Sequence, residues 1–232
     1  MTLMYWREYR TEFHIAQSYG ISEAAVCRTI QKVENALVHS GKFRLPGKKA
    51  LQPSDTFFEV VLVDASEQPI ERPPLPSHLL RFGDYSSGRC HGKKPKSALQ
   101  RQKAQLIADQ KTTKIVATAF SHGSKHDFQL FKDDDSDIAE HIRVLADAGY
   151  RGLTELHENC QTPFKKSKYQ PLTQKEKRRN YTLARKRILI EHIFRKLKVF
   201  RILSERYRNR RKRFALRFNS IAAIYNLELN QY

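Results

Sequence analysis

The chain has 232 residues, of which 40% are hydrophobic, so it is long enough to bury the core of one medium domain beside a small one. Its 43 Lys and Arg against 24 Asp and Glu give a net charge of +19 at pH 7, which indicates a polyanionic partner. The three cysteines, Cys27, Cys90 and Cys160, form no CxxC pair, which argues against a zinc site or a disulfide framework and favours a cytoplasmic setting. No apolar run approaches the roughly 20 residues that span a bilayer, so no membrane-spanning segment is expected. Binding of the basic segment to a membrane surface is a less favoured alternative to nucleic acid, because the basic face surrounds a candidate metal site.

Residues 1–40 are predicted to form a small helix-turn-helix region. Gly20 suits the tight turn between two helices, and Ser22 suits the N-cap of the second. The pattern predicts one helix ending near Tyr19 and another over about 22–38. The second helix has an apolar series at helical spacing, formed by Val26, Ile30, Val33 and Leu37.

The opposite face of that second helix is expected to meet a DNA groove, as in other helix-turn-helix proteins. The alternative is that two short structural helices are simply joined at a glycine. The residues predicted to face outward are Glu23, Ala24, Cys27, Arg28 and Gln31.

Residues 41–56, rich in Gly, Pro and Lys, are predicted to be a linker, and residues 57–232 a second domain. Strand-like runs come first and helices follow, with an irregular loop over 72–101, which predicts an α/β fold with a mixed sheet. The runs predicted as strands are 57–63, 104–108, 114–120 and 143–147, and the first helices are expected at about 126–133 and 151–158.

The last third of the chain is predicted to be helical and strongly basic. Two helices, over 181–203 and 213–229, have apolar faces that are expected to cover the sheet. From Lys165 to Arg217 there are 21 basic and three acidic residues, nearly the whole positive excess. Exposed helices normally mix both signs, so a basic binding surface is favoured over a merely solvated helix. The apolar faces consist of Ile190, Phe194, Leu197 and Phe200 in the first helix and Phe214, Phe218, Ile221, Ala222, Tyr225 and Leu229 in the second.

Two aspartates, Asp64 and Asp147, each end an apolar run and are followed by small residues. Two strands that end in this way predict two carboxylates side by side at one sheet edge, although a plain turn would also explain each. Glu191 is predicted in the middle of the most basic helix. Simple salt bridges worth ~0.3–0.5 kcal/mol are the alternative for Glu191, whose cationic neighbours at helical spacing are Arg187, Arg195 and Lys198.

Three carboxylates without a His or Cys cluster form a hard oxygen ligand set, which suits Mg²⁺ or Mn²⁺ rather than Zn²⁺. Two such ions ~4 Å apart activate a water or a 3′-hydroxyl and stabilise the leaving oxygen in phosphodiester displacement. The surrounding cations are expected to hold a DNA backbone without reading its sequence. The acidic run over 133–137 is interpreted as a solvated loop rather than a metal site. The pair His126 and Asp127 fits a catalytic role and a helix N-terminal turn equally well.

Several segments resemble the DDE-type transposases of bacterial insertion sequences, in the insertion sequence five group. They are "VDASEQPIERP", "SHGSKHDFQLF", "LADAGYRG" and the long block "EHIFRKLKVFRILSERYRNRRKRFALRFNSIAAIYNLEL". The stretch "YWREYRTEFHIAQSYGISEAAVCRTIQKVE" resembles the N-terminal helix-turn-helix of the same group. The resemblance covers most of the chain.

The resemblance implies a ribonuclease H-like fold for the second domain and a catalytic, metal-binding triad of Asp64, Asp147 and Glu191. It further implies magnesium, hydrolysis and strand transfer at terminal inverted repeats, and a dimer on double-stranded DNA. Two other hypotheses stay open: a catalytically inactive descendant that only binds DNA, and a structural protein that coats RNA. The residues expected to contact DNA are Glu23, Ala24, Arg28 and Gln31 in the helix-turn-helix, and Arg187, Arg195, Lys198, Arg208, Arg210, Arg211 and Arg213 in the basic segment.

Overall fold

A computed structural model describes residues 1–52, 58–71, 100–134, 138–166, 171–209 and 211–230. Within these ranges, the centre of the protein is a mixed five-stranded sheet in the order β3-β2-β1-β4-β5. The pairs β1–β2 and β2–β3 are antiparallel, and β1–β4 and β4–β5 are parallel. The strands are β1 Val60–Pro69, β2 Arg101–Asp109, β3 Ile115–His122, β4 Arg143–Ala146 and β5 Cys160–Gln161.

Helices cover both faces of the sheet. The described residues form six α-helices: α1 Glu12–Tyr19, α2 Glu23–His39, α3 Asp127–Asp133, α4 Leu153–Leu156, α5 Gln174–Leu197 and α6 Phe214–Leu229. None of them is long and apolar enough to cross a membrane. Short single turns of helix occur at Met4–Glu8, Lys48–Leu51, Ala148–Tyr150 and Arg201–Leu203.

The central strands are buried on both faces, because alternate side chains enter two separate cores. Leu62 and Leu145 point into the core formed with α5, α6 and the N-terminal helices. Val63 and Ala146, one residue further on, point into the core formed with α3 and α4. This two-sided burial explains the continuous apolar runs that precede Asp64 and Asp147.

The helix-turn-helix has the predicted bounds to within one residue. Gly20 has φ 63°, the left-handed conformation that glycine adopts most readily, and the Ser22 hydroxyl accepts from the amide of Ala25. One detail of the apolar series was wrong. Val33 is 36% exposed, and Glu34 is fully buried in its place.

Glu34 is buried because three donors from elsewhere in the chain surround it. Its carboxylate accepts from Arg217 Nε at 2.6 Å, Arg213 Nη1 at 2.7 Å and the indole of Trp6 at 3.2 Å. Trp6 and Ile30 belong to the same core as residues of α6. The N-terminal helices therefore pack directly on the helical layer that covers the sheet.

Part of the predicted linker is also packed against the sheet. Leu51 is fully buried, its carbonyl accepts from Ala139 N, and the amide of Gly47 donates to Val116 O. Residues 47–52 are therefore packed against the core that contains Val63 and Ala146, although the composition of this segment favours an unpacked linker. The division of the chain into domains stays a prediction.

Helix α5 differs most from its predicted bounds of 181–203. It begins at Gln174, because Thr173 and Glu176 form a reciprocal capping box, and it ends at Leu197. Phe200, predicted on its apolar face, lies beyond the helix and is half-buried. The helix predicted over 151–158 is limited to Leu153–Leu156.

Candidate active site

Asp64 and Asp147 lie side by side on the two parallel central strands. The register pairs Val63 with Ala146, so the next residue of each chain segment is an aspartate. Alternation along the strands puts both carboxylates on the face of Leu62 and Leu145, which α5 covers. The expected neighbouring carboxylates are therefore present.

The position of Asp64 within its strand was predicted wrongly. β1 does not end there but continues to Pro69, paired with β2 along this stretch. What ends is the parallel partner, because β4 stops at Ala146. The apolar run stops at Asp64 because β1 has no parallel neighbour beyond Ala146. The space left beside β1 exposes 21% of the Asp64 side chain and 50% of the Asp147 side chain to solvent.

Arg187 of α5 bridges the two carboxylates. Its Nη1 donates to Asp147 Oδ1 at 3.1 Å, and its Nη2 lies 3.5 Å from Asp64 Oδ2. The side chain is only 11% exposed, and its Nε is buried with no partner among the described residues. Arg187, predicted as a DNA contact, thus has acidic partners within its own chain.

Asp64 is the carboxyl group whose ionisation is most disturbed at this site. Burial raises its pKa to about 6, while Arg187 and a hydrogen bond from the amide of Ala65 oppose that rise. The charges of Asp147 and Asp127 add to it. The carboxylate pair is therefore only partly compensated, and additional positive charge at this point would be stabilising.

Glu191 lies one helical turn after Arg187 and about 40° further round α5. Its side chain is exposed. Among the described residues, no three His, Cys, Asp or Glu side chains lie close enough to hold a metal ion together. In this conformation Asp64 and Asp147 lie together, and it stays a prediction that Glu191 belongs to the same site.

A second charged network supports the site from the opposite face of the sheet. The buried Lys103 donates to Asp127 Oδ1 at 2.6 Å and to Lys125 O at 2.6 Å, and it lies 3.4 Å from Glu67. The sequence left Asp127 open between a catalytic role and a helix N-terminal turn. It does begin α3, and it also anchors a lysine that no sequence pattern singled out.

The turn after Asp147 packs against this network. Tyr150 is fully buried, and its hydroxyl donates to Gln105 Oε1 at 3.1 Å. Burial raises the pKa of Tyr150, and the charges of Asp127 and Asp64 act in the same direction. Tyr150 therefore stays protonated and serves as a donor that fixes the turn.

The residues predicted to read DNA lie on the open face of α2. Glu23, Ala24, Arg28 and Gln31 are all exposed. Cys27, expected beside them, is half-buried, and Gln31 Nε2 donates to its Sγ at 3.3 Å. A cavity of about 450 Å³ separates this part of α2 from the basic segment; it is lined by residues that include Cys27, Gln31, Arg208, Lys212 and Arg213.

The predicted DNA-binding cations fall into two groups. Arg195, Lys198 and Arg211 are exposed, although Arg211 Nη1 is also 3.2 Å from His122 Nε2. Arg208 stacks on the ring of Tyr9 at 3.8 Å and also donates to the Tyr9 carbonyl. Arg213 binds Glu34 and, at 2.9 Å, Asn35. Arg210 lies outside the described residues, as does the loop over 72–99.

The chain was compared with known protein families, curated proteins and solved structures. The model of the "Transposase DDE domain" matches residues 55–227, and that of the "Helix-turn-helix of DDE superfamily endonuclease" matches residues 1–43. The "Probable transposase for insertion sequence element IS702" of Microchaete diplosiphon is 44% identical over 229 residues, which cover 99% of this chain and 79% of that protein. The "Crystal structure of a pre-cleavage Mos1 transpososome" aligns with 96% of this chain and 72% of its own, at 10% identity and a TM-score of 0.27.

The expected ribonuclease H-like class, a mixed sheet with flanking helices, is confirmed. The narrower assignment to the insertion sequence five group stays a prediction. The two family matches together cover most of the chain. The relative is 44% identical to it over 99% of the chain's length. The chain therefore belongs to the DDE transposases, a family of DNA-cutting and DNA-joining enzymes that use divalent metal ions.

Proposed function

We propose that this transposase cleaves DNA and transfers strands at the terminal inverted repeats of an insertion sequence, with Asp64, Asp147 and Glu191 as its catalytic residues. The observation that carries the proposal is the adjacent pair of aspartates on parallel strands, open to solvent on the side of α5. The relative with 44% identity is named for an insertion sequence element, which supports the inverted repeats as the substrate class.

The donor set fits a hard divalent cation. Two carboxylates on neighbouring strands present oxygens on one face. Burial, with a smaller contribution from the charge of Asp147, raises the pKa of Asp64, so a bound cation would favour its ionised form. We propose Mg²⁺ or Mn²⁺, with two ions at full occupancy. When bound, such ions supply activation of a water or a 3′-hydroxyl and stabilisation of the leaving oxygen. Glu191, exposed one turn from Arg187, is the proposed third ligand.

Other residues of the chain hold and orient the DNA. Arg195 is exposed on the same helix as Glu191, and Lys198 is exposed directly after the end of that helix. Both are proposed to bind phosphates near the cleaved bond. The open face of α2, with Arg28 and Gln31, is proposed to enter a groove. Double-stranded DNA is the proposed partner, bound by a dimer of the protein.

The hypothesis of an inactive, DNA-binding descendant has no support among the described residues. Both strand aspartates are retained in an open site, and the aspartate pair would serve no purpose in a protein that merely coats a nucleic acid.

The test is cleavage of DNA that carries the ends of the element, with Mg²⁺ and then with EDTA. Wild-type protein should nick this DNA only with the metal. Asp147→Asn is nearly isosteric and should abolish nicking while filter binding of the same DNA is retained. The matched control is Glu155→Gln, which removes an exposed carboxylate of α4 and should leave nicking unchanged. Nicking by Asp147→Asn at the wild-type rate would make this carboxylate structural.

A further inference from the structure

We propose that Arg187 is the counter-ion of the aspartate pair in the metal-free protein, and that it competes with divalent cations for the same two carboxylates. The inference rests on the proposed function, because it takes Asp64 and Asp147 to be metal ligands. It adds a role for an arginine that sequence analysis had assigned to DNA.

The first observation is the division of the guanidinium between two acids. Nη1 is directed to Asp147 Oδ1 and Nη2 to Asp64 Oδ2, so each aspartate receives a separate nitrogen. The planar fork of arginine suits such bridging, which a lysine ammonium cannot reproduce. Two carboxylates on neighbouring strands repel each other, and the bridge offsets that repulsion.

The second observation is the environment of the guanidinium. The side chain is nearly buried, yet its Nε has no hydrogen-bond partner among the described residues. The polar interactions described for this side chain go to the carboxylates of the two aspartates rather than to its own helix. Arg187 is therefore held in place by the same carboxylate oxygens that would bind a cation.

The third step follows from charge and space. A divalent ion held by the carboxylates of Asp64 and Asp147 would share them with the guanidinium, and the two positive charges would repel each other. Metal binding therefore requires Arg187 to leave the pair. The released guanidinium would stay on α5, one helical turn before the exposed Glu191. Removing Arg187 should thus tighten metal binding and destabilise the metal-free protein.

The experiment is calorimetric titration of the full-length protein with Mn²⁺, together with thermal unfolding in EDTA and in Mn²⁺. Arg187→Ala should bind Mn²⁺ on the order of tenfold more tightly than wild type. The matched control, Arg195→Ala, removes the same charge from an exposed position of the same helix and should change the affinity by much less. In EDTA the Tm of Arg187→Ala should fall below that of Arg195→Ala, and Mn²⁺ should restore it.

The outcomes separate the two proposals. Binding of Mn²⁺ by Asp147→Asn as tightly as by wild type, or no binding by wild type, would overturn the metal site itself. Loss of binding in Asp147→Asn, with equal Mn²⁺ affinities for Arg187→Ala and Arg195→Ala, would overturn the competition while leaving the metal site intact.

A second substitution keeps the test decisive if Arg187→Ala fails to fold. If Arg187→Ala does not fold, Arg187→Gln, which keeps most of the side-chain volume, takes its place in the same comparison. Failure of both variants to fold even in Mn²⁺ would also overturn the inference, because a cation would then be unable to replace the guanidinium.

Discussion

Gly149 lies directly against the carboxylate of Asp127: a Cβ placed on this glycine would be 2.8 Å from Asp127 Oδ2. Asp127 cannot easily withdraw, since its other oxygen binds the buried Lys103. The turn that follows Asp147 therefore has room for a glycine and for little else.

This contact predicts the effect of Gly149→Ala. The added methyl group should displace either the turn or Asp127, and we expect a loss of about 1–3 kcal/mol in the free energy of unfolding. Because Asp147 begins the turn, Mn²⁺ affinity should fall as well. Chemical denaturation and calorimetry measure the two effects. Ala148→Ser, at the exposed neighbouring position, is the control and should change neither.

Asp127→Asn should destabilise the protein without touching the proposed metal ligands. The substitution replaces the carboxylate beside the buried Lys103 ammonium with a neutral amide, which can accept a hydrogen bond but carries no compensating charge. The nearest remaining carboxylate is the more distant Glu67, so we expect a loss of about 1–3 kcal/mol. Urea denaturation measures it, with Glu155→Gln as the exposed control. A variant as stable as wild type would show that Glu67 alone suffices for Lys103.

The raised pKa of Asp64 predicts a pH dependence of stability. Its value of about 6 in the folded protein lies above its ordinary value of 3.8, so the folded state keeps the proton that the unfolded chain releases. Between pH 4 and pH 6 this group should therefore lower stability as pH rises, by roughly 2 kcal/mol in total. Above about pH 7, where Asp64 is ionised in both states, its contribution is constant.

The measurement is unfolding in EDTA at several pH values for wild type and Asp64→Asn. Asparagine does not titrate, so the difference in stability, variant minus wild type, should rise from pH 4 to pH 6 and then level off. The asparagine variant should be the more stable protein at pH 7. A difference that does not change with pH would contradict the disturbed ionisation of Asp64.

The arginines of the basic segment should differ in what they support. Arg217→Leu removes one partner of the fully buried Glu34 and should cost about 3–5 kcal/mol of stability. Arg211→Ala, at an exposed position, is the control and should leave stability unchanged while it weakens DNA binding. Thermal unfolding and filter binding on the same preparations measure the two properties. Equal stabilities would show that Glu34 is compensated by Trp6 and Arg213 alone.

Arg195→Ala combined with Lys198→Ala should weaken DNA binding alike for all sequences. Each exposed cation that binds a phosphate releases a counter-ion, so the slope of log affinity against log salt should decrease by about 1 for each phosphate that the variant no longer neutralises. Binding to element ends and to unrelated DNA, each at several salt concentrations, measures this. A change in sequence preference at constant slope would contradict binding to the DNA backbone.

Local chemistry determined the features that sequence reasoning found. Gly20 and Ser22 mark the turn and the cap of the helix-turn-helix, because a left-handed turn and an N-cap restrict residue choice at single positions. Four of the five described strands were evident from apolar runs that two-sided burial requires, whereas the two-residue β5 was not predicted. The proximity of Asp64 and Asp147 followed from the same runs, since neighbouring parallel strands bring equivalent positions together.

The tertiary structure alone decided how charges are paired. Arg187 is separated by 123 residues from Asp64 in the chain, and Arg217 by 183 from Glu34, so no periodicity links these partners. A burial pattern read from sequence favours Val33 over Glu34, because a carboxylate is buried only where donors from distant segments surround it. The fold supplies those donors, and it places the fork of Arg187 across the two aspartates. Local sequence determined where the strands and helices lie, and long-range packing determined which of their charged side chains meet.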